Sequence, residues 1–200
     1  MKFFYRQFQK INSEALDKSN MFWSWIGSML GILAIIYFHK NFLDDENLVL
    51  VLSSFGASAV LIYGAVNSPL AQPKNLIGGH IISAIVGVIS YKIFEPNLFI
   101  AAAFAVSTSI LLMQITLTLH PPGGATALIS VIGNEQIHNL GFFYVLVPVF
   151  SGAVILFLIA FVINNIPKNR AYPQSYKDFL KKHYKRHKRK SLKSIKKGVK

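Results

Sequence analysis

His120-Pro121-Pro122-Gly123-Gly124-Ala125-Thr126 decides the fold, because it interrupts two hydrophobic runs at 98–119 and 125–133. Each proline lacks a backbone N–H and its ring clashes with the preceding helical turn, so two prolines in a row end an α-helix. The residue before a proline also leaves the helical region, which predicts that the break begins at His120. The paired glycines let backbone or a ligand approach closely. A plain proline–glycine loop between two spans is the alternative.

The surrounding chain has the composition of a multi-pass membrane protein. Of its 200 residues, 52% are hydrophobic and only 14% are charged. Long apolar runs, each long enough to cross a bilayer as a helix, lie near 21–38, 48–66, 78–94, 98–119 and 141–163. We therefore predict an all-α fold: a polytopic transmembrane helical bundle with five long spans plus a short broken helix after the HPP motif.

The charge distribution predicts three segments: a cytoplasmic N-terminal segment 1–20, a membrane domain 21–166 and a basic cytoplasmic tail 167–200. Residues 168–200 hold fourteen lysines and arginines and one acid, whereas the rest of the chain holds seven of each. Such a tail is a topology signal and a contact for anionic membrane lipids, at about 1 kcal/mol per basic residue, and we expect no nucleic acid partner. Residues 1–20 have helical spacing for a surface helix and lack the apolar core of a signal peptide.

Two topologies are compatible with these runs. Basic segments at both ends place both termini in the cytoplasm, which needs an even number of crossings. The preferred solution makes 123–133 a short sixth crossing, with the acidic loop 44–46 outside and Lys74 inside. Eleven residues reach only about 17 Å of a core of roughly 30 Å, so neighbouring helices must shelter this segment. The alternative is five spans with the N-terminus outside.

The apolar region also contains a weak internal two-helix repeat. FGASAVLIY at 55–63 resembles FAVSTSILL at 104–112, and GGHIISAIVG at 78–87 resembles GGATALISVIG at 123–133. Each unit is then a helix, a proline-containing break and a helix that starts with two glycines. Internal repeats with broken helices are common in secondary transporters, where the breaks mark the binding site. Chance similarity among glycine-rich apolar segments is the alternative.

The two breaks form the candidate site. Helices that start at Gly78-Gly79 and at Gly123-Gly124 would direct free N–H groups and partial positive charge towards a small anion without a buried cation. The prolines expected to hold the breaks are Pro69, Pro73, Pro121 and Pro122. The polar side chains expected to complete the site are Gln72, Asn75, His80, Gln114, His120 and Thr126.

Other roles remain open for several of these side chains. Capping or an interfacial position is the alternative for both histidines, and either histidine can exchange a proton near neutral pH. Gln114 is expected to face the protein interior, because an amide in lipid needs a partner. The sequence has no nucleotide loop, zinc motif or nucleophile elbow, and no cysteine, so we expect no enzyme activity, metal or cofactor.

Two blocks resemble the HPP family of integral membrane proteins: FGASAVLIYGAVNSPLAQPKNLIGGHIISAIVGV at 55–88, which contains SPLAQPKN at 68–75, and LTLHPPGGATAL at 117–128. The resemblance covers about 48–163 and implies transport of nitrite or a similar small monovalent anion. We expect a multi-pass protein of the plasma or inner membrane and leave association into a homodimer open. A non-transporting scaffold or sensor, whose basic tail docks lipid or a cytoplasmic partner, is the alternative function.

Overall fold

The computed structural model describes residues 17–175, and within this range every regular element is a helix. The α-helices are α1 Lys18–His39, α2 Asp45–Ala59, α3 Pro73–Phe94, α4 Leu98–Ile115, α5 Pro122–Ile132, α6 Glu135–Leu140 and α7 Ser151–Ile163. A π-helical turn, Val60–Gly64, extends α2, a second one, Val145–Phe150, leads into α7, and a 3-10 turn covers Pro69–Ala71. The surface helix expected in 1–20 and the basic tail lie largely outside the described residues.

Five of these helical segments are long and apolar enough to cross a bilayer: Lys18–His39, Asp45–Gly64, Pro73–Phe94, Leu98–Ile115 and Val145–Ile163. The short apolar helix Pro122–Ile132 follows the second break. The predicted all-α bundle of five long spans and one short helix is therefore confirmed.

The beginning of α3 differs from the prediction. We expected this helix to start at Gly78, whereas it starts at Pro73. Proline suits the first helical position, because its missing N–H would have no partner there and its φ angle is already helical. Gly78 and Gly79 therefore lie in the second turn of α3 and not at its free end.

The end of α4 also differs from the prediction. This helix was expected to reach residue 119, but it ends at Ile115. Leu117 adopts a positive φ of 56°, and the next N–H, from Thr118, returns to the carbonyl of Met113 at 2.8 Å. This is a Schellman-type ending in which a leucine occupies the position that glycine usually fills. The second break therefore begins before His120.

Side-chain contacts sort the helix ends into two layers. At the break end, defined by residues 65–72 and 116–121, the amide of Asn75 donates to the Leu119 carbonyl at 2.8 Å. At the acidic end, defined by residues 40–46 and 133–141, the amide of Asn47 donates to the side-chain oxygen of Asn134. The short helix α5 therefore runs from the break end to the acidic end.

Within residues 17–175 the chain consequently passes six times between the two ends, and whether the short passage α5 crosses the membrane stays a prediction. The hydroxyl of Ser24, near the start of α1, donates to the Tyr63 carbonyl at 2.6 Å, and Asn164, just after α7, donates to the Ile62 carbonyl at 3.1 Å. The start of α1 and the end of α7 thus both lie at the break end. The assignment of this end to the cytoplasm stays a prediction.

Residues 164–174, which we call the belt, fold back across the break end. Arg170 donates to the Asn20 carbonyl at 2.7 Å and to the Ser24 hydroxyl at 2.8 Å. Tyr172 is fully buried, and its hydroxyl donates to the Ala71 carbonyl at 2.8 Å. The packed body thus extends past the predicted boundary at residue 166.

Candidate functional site

The two proline breaks meet inside the bundle. Nδ1 of His120 lies 2.9 Å from the Leu70 carbonyl oxygen, so the second break is bonded to the first. Nε2 of the same ring lies 2.9 Å from the hydroxyl of Ser58, which is six residues before the end of the span Asp45–Gly64. Six residues of helix correspond to about 9 Å. The HPP motif therefore lies inside the bundle, at the level of Ser58 and not at the end of the neighbouring span. The helix α5 is short because it starts at this level.

A line of five hydrogen-bonded side chains crosses this level, and we call it the polar row. From Ser54, the oxygen–oxygen distance to Thr126 is 2.7 Å, and Thr126 in turn lies 2.7 Å from Nδ1 of His80. Nε2 of His80 lies 2.8 Å from the Ser58 hydroxyl, which reaches His120. All five side chains are buried. The row joins α2, α3, α5 and both breaks.

The proton positions at one end of the polar row follow from the Leu70 carbonyl, which only accepts hydrogen bonds. Nδ1 of His120 therefore donates to it, and in a neutral ring Nε2 must accept. The donor to Nε2 is the Ser58 hydroxyl, the group that lies 2.9 Å away. The Ser54 carbonyl, at 3.2 Å from the Ser58 oxygen, is the longer alternative acceptor for that proton. We take both rings as neutral, because a buried unpaired charge is costly.

The remaining proton positions follow in turn. The Ser58 hydroxyl uses its one hydrogen in the bond to His120, so Nε2 of His80 must donate to the Ser58 oxygen. Nδ1 of His80 then accepts from the Thr126 hydroxyl, and Thr126 accepts from Ser54. Every donor in the row thus points in one direction, from Ser54 towards the Leu70 carbonyl.

The structure brings together three of the predicted site residues. Thr126 bonds directly to His80, and the Ser58 hydroxyl links His80 to His120. The centroids of the two imidazole rings are 5.0 Å apart. All four ring nitrogens have partners, and those partners are hydroxyls and a carbonyl. The centroid of the Phe55 ring lies 4.8 Å from that of the His80 ring. The groups that contact the His80 ring are therefore hydroxyls and an aromatic ring, none of which is charged.

Gln72 and Asn75 lie nearby but bind backbone at the breaks. Gln72 donates to the carbonyls of Ser68 and Val66, at 2.9 and 3.2 Å. Its side-chain oxygen accepts from the backbone N–H of Gln174 at 2.8 Å. Asn75 donates to the Leu119 carbonyl. These two amides therefore hold the shape of the loops around the polar row.

The glycines pack helices closely. A β-carbon placed on Gly79 would lie 2.5 Å from Cβ of His120, and one on Gly123 would lie 2.7 Å from the Ser83 hydroxyl. A β-carbon on Gly78 would lie 2.7 Å from the Thr118 methyl group, whereas Gly124 has nothing nearer than 3.9 Å. Three of the four positions are therefore limited by space.

The expected cradle of free N–H groups is not what these glycines form. Gly78 and Gly79 lie inside α3, where backbone N–H groups bond to the preceding turn. The N–H of Gly123 donates to the His120 carbonyl at 2.8 Å, and that of Gly124 donates to the Pro121 carbonyl at 3.0 Å. The donors at the site are side chains instead.

The prolines and Gln114 complete the predicted set. Pro73 and Pro122 occupy the first positions of α3 and α5, Pro69 opens the 3-10 turn, and Pro121 precedes α5. The predicted inward position of Gln114 is wrong, because its side chain is exposed on the outer face of α4. Its neighbour Met113 is the residue that α4 turns inward, against Gly79 and Gly123.

The sequence prediction missed Ser54 and Ser58. Both are buried in α2, and Ser58 links the two histidines. Their spacing of four residues in an otherwise apolar helix, with Asn47 seven residues before Ser54, places all three on one helical face. A single serine in an apolar helix usually bonds only to its own backbone and indicates nothing. The available signal was that the three polar residues share one face of α2.

Comparisons with known proteins agree with this architecture. The sequence profile described as HPP, transmembrane region, matches residues 13–173. Two proteins of Dictyostelium discoideum, each described as a transmembrane protein, are 47% and 46% identical to this chain over 160 residues. These alignments cover 78% of this chain but 56% and 51% of the relatives, so the chain spans about half their length. No solved structure matches the chain.

Proposed function

The chain belongs to the HPP transmembrane family, and from this premise we propose that it transports a small monovalent anion, with nitrite as the first candidate. The observation that carries the proposal is the polar row, which lies where two broken segments meet within a multi-pass bundle. Broken helices that expose polar groups at this depth are the usual place for a transporter's binding site. The resemblance of the residues 55–88 and 117–128 to family blocks supports nitrite as the solute.

The chemistry of the row suits a small anion. Its donors are the hydroxyls of Ser58 and Thr126 and a ring N–H of His80, all of which can turn towards a negative solute. None of them carries a permanent charge, so the solute is not held by an ion pair that would slow its release. A lysine or arginine at this depth would be expensive and would bind an anion more firmly.

The buried position of the row supports gated passage in preference to an open pore. His80 and His120 have no exposed surface, so the described state is occluded. Pro69 and Pro121 are exposed at the break end, one residue away from Leu70 and His120. Separation of the two breaks would open the shortest route from this end to the row.

We propose further that the protein lies in the plasma or inner membrane with both ends in the cytoplasm. The even number of passages supports a common side for both ends. The fourteen basic residues of 168–200 support the cytoplasmic side and contact with anionic lipid headgroups.

The direct test is anion uptake into liposomes that contain the purified protein. We expect protein-dependent uptake of nitrite, with nitrate, formate and chloride measured as competitors. Thr126→Val should abolish uptake, because valine has the shape of threonine without its hydroxyl. Ser107→Ala is the control, because Ser107 is exposed on α4 and its hydroxyl donates to the Phe104 carbonyl of its own helix at 3.2 Å. Equal uptake by vesicles with and without the protein, for all four anions, would refute transport.

The scaffold or sensor alternative rests on the basic tail and has its own test. Deletion of 176–200 removes most of the tail and leaves the buried belt residue Tyr172 in place. A transporter keeps its uptake after this deletion. A scaffold instead loses attachment to vesicles or partners and shows no uptake in either form.

A further inference from the structure

The polar row has a property beyond that of an anion site: its five side chains form an unbroken line of groups that accept and release protons. Ser54 donates to Thr126, and each later hydroxyl and ring of the row receives one hydrogen bond and donates one, so that all the donors point from Ser54 to the Leu70 carbonyl. The four contacts between its side chains are 2.7 to 2.9 Å long. Imidazoles and hydroxyls both accept and release protons, which amides and backbone groups do not do readily.

The balance of donors suggests what the path does. In the neutral row every donor has an acceptor, so no donor is spare. A nitrite ion adds an acceptor and a negative charge, and both remain uncompensated in a buried site. One added proton supplies the missing donor and neutralises the charge. We propose that the row moves one proton together with each anion, so that transport is an electroneutral proton–anion symport. This inference rests on the proposed function.

The proton moves along the row by a sequence of exchanges. A proton that arrives at the Ser54 oxygen lets Ser54 pass its own proton to Thr126, and Thr126 passes its proton to Nδ1 of His80. His80 releases the proton on Nε2 to Ser58. At every step one O–H or N–H bond forms as another breaks, and a single positive charge advances.

The last exchange takes place at the second break. Ser58 passes its proton to Nε2 of His120, which then carries protons on both nitrogens. Once the Leu70 carbonyl moves away, His120 releases the proton on Nδ1 to a water molecule that enters from the break end. The carbonyl itself cannot take up a proton, so the contact between the two breaks acts as the gate. Rotation of the hydroxyls and rings then restores the original direction.

The acidic end offers an approach to Ser54. On α5, Ser130 follows Thr126 by four residues, which places both on one face, and the Ser130 hydroxyl donates to the Thr126 carbonyl at 3.0 Å. Just beyond α5, Asn134 pairs with the buried Asn47 at the acidic end. The donor direction therefore leads from the acidic end to the break end, inward if the break end is cytoplasmic.

The first experiment uses the wild-type protein in liposomes that contain a pH-sensitive dye, with a membrane potential set by potassium and valinomycin. Electroneutral symport predicts that nitrite uptake acidifies the lumen and that its initial rate is the same at either sign of the potential. Protein-free vesicles at slightly alkaline pH give the background from nitrous acid that crosses the lipid.

The outcomes separate the two ideas. Nitrite uptake that a lumen-positive potential accelerates, without matching acidification, overturns the symport and leaves anion transport standing. Absence of any protein-dependent nitrite uptake refutes the proposed function instead. Acidification that equals nitrite uptake at every potential supports both.

The second experiment interrupts the row at its centre. Ser58→Ala removes the hydroxyl that joins the two imidazoles and keeps both rings, so we expect loss of lumen acidification. Ser58→Thr retains a hydroxyl and should restore it. Ser53→Ala is the matched control, because Ser53 is exposed and its hydroxyl bonds to the Leu50 carbonyl of its own helix. A folded, monodisperse Ser58→Ala protein that still acidifies the lumen overturns the inference, and if this variant does not fold, the wild-type potential dependence decides.

Discussion

Two polar clusters lie at different depths along α2, and their side chains are connected in different ways. In the inner cluster, the hydroxyls of Ser54 and Thr126 meet in a fully buried chain in which one hydrogen bond joins each side chain to the next. In the outer cluster, at the acidic end, the amide nitrogen of Asn47 has acceptors on Asp44, Asn134 and Gln136. The inner cluster is a single path and the outer one is redundant. Redundancy is suited to holding a seam together, whereas a single path is suited to transfer.

The largest effect is expected from breaking the inner cluster. Thr126→Val leaves Nδ1 of His80 without its donor and the Ser54 hydroxyl without its acceptor, both away from water. A buried polar group that loses its partner costs about 1–3 kcal/mol, so we expect a loss of about 2–3 kcal/mol in the free energy of unfolding. Reversible unfolding in mixed micelles, followed by tryptophan fluorescence, measures this loss. An unchanged unfolding midpoint would show that the inner cluster contributes nothing to stability.

A second test compares two glycines that flank the inner cluster. Gly79→Ala places a β-carbon 2.5 Å from His120 and 2.9 Å from the Thr118 carbonyl, so overpacking should cost about 1–3 kcal/mol. Gly124→Ala meets only a methyl group at 3.9 Å and should be neutral or stabilising, because alanine favours helix. Thermal unfolding of the two purified variants checks the difference. Equal melting temperatures would contradict the packing role of Gly79.

The outer cluster should tolerate truncation better. Asn134→Ala removes an acceptor of Asn47 and the cap of α6, where Asn134 accepts from the Gln136 N–H at 3.0 Å. We expect a loss of about 1 kcal/mol, typical for an N-cap, with unchanged nitrite uptake. Uptake and unfolding are measured on the same preparation. A loss of uptake in a stable Asn134→Ala protein would make the outer cluster part of the transport path.

The smallest effect is expected on the melting temperature at acidic pH, through Asp44. The backbone N–H of Asn47 and the amide of Asn134 stabilise the ionised form of Asp44 and lower its pKa below the usual value. A lowered pKa in the folded state stabilises the fold above the unfolded value of about 3.9, and this contribution is lost as the pH falls through the folded pKa. We expect the melting temperature to drop less on acidification below about pH 4 in Asp44→Asn than in wild type. Parallel acid profiles of the two proteins would exclude this role for Asp44.

The sequence was informative where residues are chemically unusual for their surroundings. Histidines and a threonine near proline breaks in an apolar chain predicted which residues come together in the polar row, because such groups need partners there. The lengths of the runs predicted the five long spans, and the basic ends predicted the even number of passages.

The errors have physical causes that a single chain does not reveal. A glycine pair is compatible both with a helix start and with close packing, and Gly79 packs because His120 approaches α3 from a distant part of the chain. Gln114 and Met113 are neighbours in α4, and only tertiary packing determines which of them points inward. The sequence around Ser58 does not distinguish it from other helical serines. Its role depends on two histidines, 22 and 62 residues away, that bond to its hydroxyl in the folded protein.

The belt bonds residues 172–174 to the first break, which contains the proposed gate. Leu70, Ala71 and Gln72 are consecutive, and they accept hydrogen bonds from His120, Tyr172 and the backbone of Gln174, respectively. A pull on the residues after Gln174, whether from lipid headgroups or from a bound protein, would therefore act on Gln72, two residues from the Leu70 carbonyl that we propose as the gate. Attachment of the tail and separation of the two breaks would then be mechanically coupled.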